Sequence, residues 1–444
     1  MRIIIDRDII SILKPLEDMR YYFVGGYVRD KLINRPYNDI DIIVFDTIET
    51  IEEKMQSKAF VVNNRFATAR FSVNSRIIDI NTVSDLDTDL KRRDFTVNAI
   101  AADKTGEIID RVGGLQDIEE NLIRPLSNSI FKDDPLRLLR ALRYSADLSF
   151  ELTERAEVMI RRDNELIRDS APERINEELH RIFSQPGRAY LMRTMANSGL
   201  LLNIFPMLDK TESFEHKKHN STHLLGHLLN TTEAVDRVVS TDIPERIEEY
   251  GRDNAFILYI SALLHDIDKP DKMRKKGDGL SFAGHDKGSA EKASYMLRDL
   301  RLSNREIRSA DTLISMHMRP HLLLSSQRVT SRGYYRLMRD AGNDLEGLII
   351  LAMADKLSSE GIIDNSYIEL YGRIMDVKNA IEKKAISFIT GTDIMGHFSI
   401  EEGPLIGHMI DRGNEYAVEN NIDSKEKILD FLADEFKNRL PDTD

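Results

Sequence analysis

Two adjacent glycines, an arginine one helical turn later and two aspartates two positions apart make the densest chemical signal in the sequence. They stand in Val24-Gly25-Gly26-Tyr27-Val28-Arg29-Asp30 and Asp39-Ile40-Asp41-Ile42-Ile43-Val44. Paired glycines after a strand let backbone N–H groups approach a phosphate with no Cβ in the way, and Arg29 is placed to reach the same anion. Asp39 and Asp41, at i and i+2 on a predicted strand, put both carboxylates on one face. Such a pair repels itself until divalent cations relieve it. It suits two Mg²⁺ ions, one activating an attacking hydroxyl and one neutralising a triphosphate and its leaving pyrophosphate. Asp79, in Arg76-Ile77-Ile78-Asp79-Ile80, lies on a neighbouring strand, either completing a carboxylate trio or standing as a solvated strand position.

Two basic segments follow. Lys91-Arg92-Arg93-Asp94-Phe95-Thr96 reads as a helix opening at Asp94, with Asp and Thr for capping and the arginines near a triphosphate. In Lys132-Asp133-Asp134-Pro135-Leu136-Arg137 and on to Tyr144, Asp134 stands at a helix start with Pro135 at the first helical position. Arg137, Arg140 and Arg143 then form a guanidinium stripe beside the apolar face of Leu138, Ala141 and Leu142. An Asp and an Arg one turn apart offer acceptor and donors to the Watson–Crick edge of a base, so that protein acts as the template. Taken alone, the segment is equally a basic helix packed on its own domain.

A third constellation is rich in histidine. His227, the pair His265-Asp266 and Asp355 stand in that order on predicted helices. Imidazole nitrogens with carboxylates suit a transition metal or Mg²⁺ bound for phosphoester hydrolysis. His285 and His317 are candidate ligands of a second ion, and Lys269 is placed to hold a phosphate. His216, His219 and His223 read as a solvated helix start, with one of them as a ligand the less favoured alternative, and His180, His397 and His408 as structural.

The elements that must position these groups follow from periodicity. Residues 20–115 alternate β-rich runs (Tyr21–Val24, Ile40–Val44, Ala67–Val73, Ile77–Ile80) with helical stretches, and the remainder is helical almost throughout. The expected class is α+β: a small mixed-sheet head over 1–115, a helical neck over 116–205, a histidine-rich helical domain over 206–370 and a helical tail over 371–444. Cysteine is absent from the 444 residues, which excludes disulfides and thiolate-bound zinc. No apolar run is long enough to span a membrane and the start lacks a signal peptide, so a cytoplasmic protein without a membrane partner is expected. The formal charge is −13. Bulk charge therefore offers nothing to a nucleic acid, and any RNA contact must rest on local arginine clusters, with metal ions offsetting the carboxylates.

Together these segments resemble the class II tRNA nucleotidyltransferases, which include CCA-adding enzymes, CC-adding and A-adding variants, and bacterial poly(A) polymerases. The resemblance runs on through Glu173-Arg174-Ile175-Asn176-Glu177-Glu178-Leu179 to Gly391-Thr392-Asp393-Ile394-Met395 and Gly403-Pro404-Leu405-Ile406-Gly407. It implies that Asp39 and Asp41 bind the catalytic Mg²⁺ and that Gly25, Gly26 and Arg29 face the triphosphate. It further implies that Arg93 joins the nucleotide pocket, that Asp134 and Arg137 read the base, and that Arg140 and Arg143 support it. Asp133 stands where the family usually has Glu. The implied substrates are a tRNA 3′ end with CTP and ATP. The histidine region resembles the HD phosphohydrolase domain of bacterial members, with Asp268 where Gly is usual and with the identity of its divalent metal open.

Members that complete CCA resemble one another in a flexible loop ahead of Arg-Arg-Asp. Here that interval is only Asn81 to Lys91. The implied activity is addition of CC alone, with a separate A-adding enzyme in the same cell. The alternatives are full CCA addition despite the short interval, or an HD phosphohydrolase of RNA 2′,3′-cyclic ends or nucleotides with the head serving as RNA-binding module. A poly(A) polymerase fits less well, lacking the basic extensions, as does a non-catalytic RNA adaptor on so acidic a chain.

Overall fold

The structure is a computed structural model that describes residues 1–37, 39–63, 68–73, 76–277, 279–383 and 388–437, with backbone alone at 39, 60–63, 68, 73 and 383. The chain divides into two compact units, residues 1–182 with 195–204, and residues 183–194 with 205–444.

The first unit is built on a seven-stranded mixed sheet. Its strands are β1 (Tyr21–Val24), β2 (Asp39–Val44), β3 (Phe60–Asn63), β4 (Thr68–Val73), β5 (Arg76–Thr82), β6 (Ile100–Asp103) and β7 (Ile108–Asp110), ordered β3-β4-β5-β2-β1-β6-β7. β2 and β5 run parallel while β1 pairs antiparallel with both β2 and β6. Alternation along β1 and β2 splits their side chains between two faces. Phe23, Ile40, Ile42 and Val44 enter a large core with Ile9, Leu13, Leu16, Phe71 and Ile78. On the opposite face Val24 and Ile43 meet Leu86, Leu90 and Ala101. Leu86 and Leu90 belong to a short helix, Leu86–Lys91, whose N-cap Asp85 accepts from the Thr88 backbone N–H at 2.8 Å. That helix fills the interval after β5, so this stretch is folded secondary structure.

The strand predictions agree with the structure to within a residue or two at each end, apart from residue 67, which lies outside the described residues. The helix expected from Pro135 begins at Arg137, because Asp134–Arg137 first forms a turn closed by Arg137 N–H onto the Asp134 carbonyl. Arg137–Leu148 buries Leu138, Leu139, Ala141 and Leu142. The helix Pro172–Phe183 carries Glu178, almost fully buried, whose Oε2 accepts from Arg143 Nε at 2.8 Å.

The second unit is helical. Ala255–Leu264 is buried at all ten positions and Leu345–Glu360 over most of its length. A helix apolar on every side belongs in the centre of a core. Leu224–Val239 packs on both. Near the C-terminus, the helices Gly391–Phe398, Pro404–Asn420 and Lys425–Phe436 enclose a core of their own around Ile394, Met409, Ile428 and Leu432. No helix of the described residues is long and apolar enough to cross a membrane.

Candidate functional sites

A cleft of about 510 Å³ opens in the first unit, lined by Gly25, Gly26, Asp41, Asp89, Arg92, Arg93, Asp134, Arg137, Arg140 and Tyr144, among others. Gly25 closes β1 at φ 68° and ψ −136°, a conformation that L side chains avoid. A Cβ there would lie 2.7 Å from Arg93 Nη1 and 3.0 Å from Asp41 Oδ2. The glycine thus leaves open the space at the strand end that the Arg93 and Asp41 side chains both approach. Asp41 is half-buried on β2 and pairs in register with Asp79 of β5. The Asp79 carboxylate receives both arms of the Arg70 fork, at 2.7 and 2.8 Å. Asp39 occupies β2, but its side chain lies outside the described residues.

The arginines divide into those that line the cleft and those that hold it. Arg93 donates to Asp89 Oδ2 at 3.0 Å, and Arg137 donates to the Arg92 carbonyl at 2.7 Å. Asp134 pairs with Arg174 at 2.8 Å, which ties the Glu173–Leu179 motif to the cleft. Arg29, expected at the triphosphate, instead is buried and bonds Asn98 Oδ1 at 2.5 Å and Asp30 at 2.9 Å. Arg143, expected to support the nucleotide, turns to Glu178 and Asp147 and stacks 4.2 Å from the Tyr144 ring centre. Neither lines the cleft, because each finds a buried or half-buried carboxylate closer at hand.

Asp94 does not open an α-helix. It is buried and accepts from Phe95 N–H and Asn98 at 2.9 Å each, and from Arg140 Nε at 2.9 Å. Burial opposes its charge, but Arg140 and these donors pull its pKa down to about 2. A folded value below the ordinary 3.8 means the stabilisation is complete above about pH 4 and lost as pH falls through about 2. The pair therefore contributes roughly 2 kcal/mol at neutral pH. Asp94→Asn is expected to flatten the pH dependence of unfolding free energy between about pH 4 and pH 2, measured by denaturant melts; an unchanged slope would remove this pair as its source.

In the second unit six histidines and two aspartates converge. His265 and Asp266 end the buried helix Ala255–Leu264, His227 comes from Leu224–Val239, and Asp355 from Leu345–Glu360. His227 Nε2 lies 3.2 Å from Asp355 Oδ1, and His265 Nε2 lies 3.2 Å from Asp266 Oδ2. His285 and His317 point Nε2 at Asp266 Oδ1, 3.0 and 3.5 Å away. His321, not anticipated, approaches Asp355 Oδ2 at 3.2 Å. His216 was expected in a solvated helix start. It lies half-buried on the strand Glu215–Lys218, its ring centre 5.3 Å from that of His227. Only the chain folding back could show either, since neither stands at a motif spacing.

The orientation of the rings tests the site for a metal. Nδ1 of His265, His285 and His317 meets the carbonyl three residues earlier, at 2.9, 2.8 and 2.7 Å. Nδ1 of His227 meets Ser358 Oγ at 3.1 Å and that of His321 meets Tyr367 Oη at 2.5 Å. All five Nε2 atoms, with Asp266 Oδ1, are buried without a hydrogen-bond partner. For His265, His285 and His317, donation from Nδ1 to a carbonyl fixes the tautomer that leaves Nε2 free to ligate. Ligand atoms of His227, His265 and Asp355 lie within 4.8 Å of one another, as do those of His265, Asp266 and His317. The donor set fits a divalent transition metal, with His285 and His317 beside Asp266 suited to a second ion. Burial lowers the His265 imidazole, yet Asp266 and Asp355 override this and push it to about 10. A cation would take over that charge-balancing role. Lys269 contacts Asp266 and also lines an adjoining cavity of about 610 Å³ with Lys218, Lys356 and Tyr367. Asp268, the departure from Gly, is accommodated by Gly288, where a Cβ would fall 1.8 Å from Asp268 Oδ2, and is paired with Lys292 at 2.5 Å.

Comparison with known proteins follows this division. Residues 21–85 and 81–124 match the poly A polymerase head domain, and 149–211 match the family described as "Probable RNA and SrmB-binding site of polymerase A". Residues 282–432 match domain 2 of tRNA nucleotidyltransferase. The chain belongs to the tRNA nucleotidyltransferase and poly(A) polymerase family. Within the family it is 27% identical to a CC-adding tRNA nucleotidyltransferase of Thermus thermophilus, over 92% of each chain. It is 28% identical to an A-adding tRNA nucleotidyltransferase of Deinococcus radiodurans, over 73% of this chain and 74% of that one. A solved CCA-adding enzyme of Thermotoga maritima, complexed with tRNA, superposes with a TM-score of 0.67 over 97% of this chain and 96% of that chain, at 22% identity. At that identity the likeness concerns the fold: a mixed-sheet nucleotidyltransferase head and a helical body.

Proposed function

We propose that this family member adds nucleotides from CTP to the 3′ end of tRNA, without a nucleic-acid template, and stops after two cytidylates. The observation that carries the proposal is the single cleft joining Asp41, Gly25, Gly26 and Arg93 to Asp134 and Arg137. The glycine amides and Arg93 receive the triphosphate, Arg93 standing beside Asp41 where charge develops on phosphoryl transfer. Asp134 and Arg137 face the base, and cytosine's exocyclic amine is a donor for the Asp134 carboxylate. Arg174 and the Arg92 carbonyl hold this pair in place. Asp39 and Asp41 would hold Mg²⁺, which would supply activation of the 3′-hydroxyl and neutralisation of the leaving pyrophosphate.

Relatives of comparable identity are named for different nucleotides, so the choice of CC rests on the interval before Arg92. A helix anchored by Leu86 and Leu90 occupies it, leaving no long segment to reset the pocket from C to A. A separate A-adding enzyme must then finish the tRNA. The test is incubation with tRNA ending at the discriminator base plus CTP and ATP, followed by sequencing of the ends. Two added cytidines are expected. A terminal adenosine would establish full CCA addition and retire the argument from the interval.

A second activity has its own support in the five inward Nε2 atoms. We infer that residues 206–370 form an HD-like, metal-dependent phosphohydrolase, with His227, His265, Asp266 and Asp355 as ligands of one ion and His285 and His317 serving a second. Lys218, Lys269 and Lys356 in the adjoining cavity suit a phosphoester anion. In the same reading, residues 1–115 are the head, 116–205 the neck and 371–444 the tail.

A further inference from the structure

The folded interval before the Arg-Arg-Asp segment holds a carboxylate whose partners reach both ends of the nucleotide cleft. Asp89 lies on Leu86–Lys91, the six-residue helix that seats Leu86 and Leu90 on the cleft side of the sheet. Its side chain is 1% exposed. Oδ1 accepts from Arg92 Nε at 2.9 Å and Nη2 at 2.6 Å, and Oδ2 from Arg93 Nε at 3.0 Å and Nη2 at 2.9 Å. One buried carboxylate thus binds two consecutive guanidinium groups, each by a fork. Such bonds are short, directional and strongly orienting.

The two arginines lead in different directions. With Nε and Nη2 held by Asp89, Arg93 turns Nη1 toward the Asn98 carbonyl, 3.4 Å away, and over Gly25 beside Asp41. Arg92, held by its side chain, fixes the backbone at the helix end, and its carbonyl accepts from Arg137 Nη2 at 2.7 Å. Arg93 is the phosphate-side cation of the reading above, and Arg137 is half of its base-reading pair.

We propose that Asp89 is a positioning residue that couples the phosphate-side Arg93 to the base-reading Arg137, locking the cleft in a single nucleotide setting. The proposal rests on the nucleotidyltransferase reading of the cleft and specifies what replaces a long loop: a short capped helix carrying an internal clamp. Freeing both arginines at once should weaken nucleotide binding and blur the choice of base. A mere scaffold residue would instead lower stability and active fraction without altering the preference among nucleotides.

The experiment compares Asp89→Asn, which keeps shape and removes charge, with Asp87→Asn on the same helix, whose carboxylate is half exposed and pairs with Arg111 at 3.5 Å. Steady-state incorporation of CTP and of ATP is measured on tRNA ending at the discriminator base, with thermal melts of each protein. Asp89→Asn is expected to raise KM for CTP about tenfold with a smaller change in kcat, and to narrow the CTP-over-ATP ratio of kcat/KM about tenfold. Asp87→Asn should match the parent. Reduced kcat with KM and nucleotide ratio unchanged would overturn the proposal. If Asp89→Asn melts early, Asp89→Glu supplies the second arm: restored charge should recover the nucleotide ratio, and failure to recover it in a folded protein also overturns the proposal. Absence of incorporation by the parent protein would count against the nucleotidyltransferase reading itself, a result distinguishable from an unselective Asp89 variant.

Discussion

Asp41→Ala is expected to lower kcat for nucleotide addition by at least about 10³-fold, a loss of about 4 kcal/mol of transition-state stabilisation. Its melting temperature should stay near that of the parent. The asymmetry follows from position. Asp41 is the half-buried residue in a strand whose Ile40, Ile42, Ile43 and Val44 supply the packing on both faces. Removing its carboxylate takes nothing from the core and relieves repulsion near Asp79, the register partner on β5. What disappears is the negative charge beside Arg93 at the strand end, the group suited to hold a divalent cation. Incorporation of labelled CTP into tRNA, with melts on the same samples, checks both halves. Activity within tenfold of the parent would move the catalytic carboxylate elsewhere and undo the reading of the cleft.

The second large effect is expected in the other unit. Asp266→Asn should weaken metal binding more than about 100-fold, read by elemental analysis after dialysis against a limiting chelator. The Asp266 carboxylate faces four imidazoles, with Nε2 of His227, His265, His285 and His317 at 3.0–3.6 Å. It faces the proposed ligands of both ions, His227 and His265 on one side and His285 and His317 on the other. The amide keeps its volume while removing the charge that a bound cation needs. Hydrolysis of bis(p-nitrophenyl) phosphate with added Mn²⁺, Ni²⁺ or Mg²⁺ should fall with metal content, while CTP incorporation by the head should persist. A variant that keeps its full metal complement would show that these histidines ligate nothing through Asp266.

How much of this was legible beforehand depends on the range of the interaction. Period-two alternation dictated which face of β2 carries Asp41, since side-chain direction in a strand is local geometry. The apolar residues Leu263 and Leu264 likewise marked a helix delivering His265 and Asp266 at its end. Gly25 was recognisable as a residue that must lack a side chain, though not that Arg93 and Asp41 are what crowd it. Asp89 carries a signal readable in the sequence: an acid three and four residues ahead of two arginines, the spacing of helical ion pairs.

The remaining assignments needed long-range packing. Arg29 and Arg143 looked equivalent to Arg93 and Arg137, being arginines in the same motifs. Whether such a side chain faces a ligand or the protein depends on which carboxylate the fold brings near it. Asn98 with Asp30 claims the first, and Glu178, 35 residues further along, claims the second. His321 and His216 joined the metal cluster for the same reason: His321 meets Asp355 and Tyr367, and His216 lies beside His227 and Asp266, all elsewhere in the sequence. The sequence by itself determined the element types, the carboxylate and glycine positions and the family, because these rest on local geometry and residue chemistry. Tertiary structure alone decided which cations are clamps and which remain for the substrate, because a guanidinium in a half-buried site turns to the nearest desolvated charge, and only the folded chain says where that charge is.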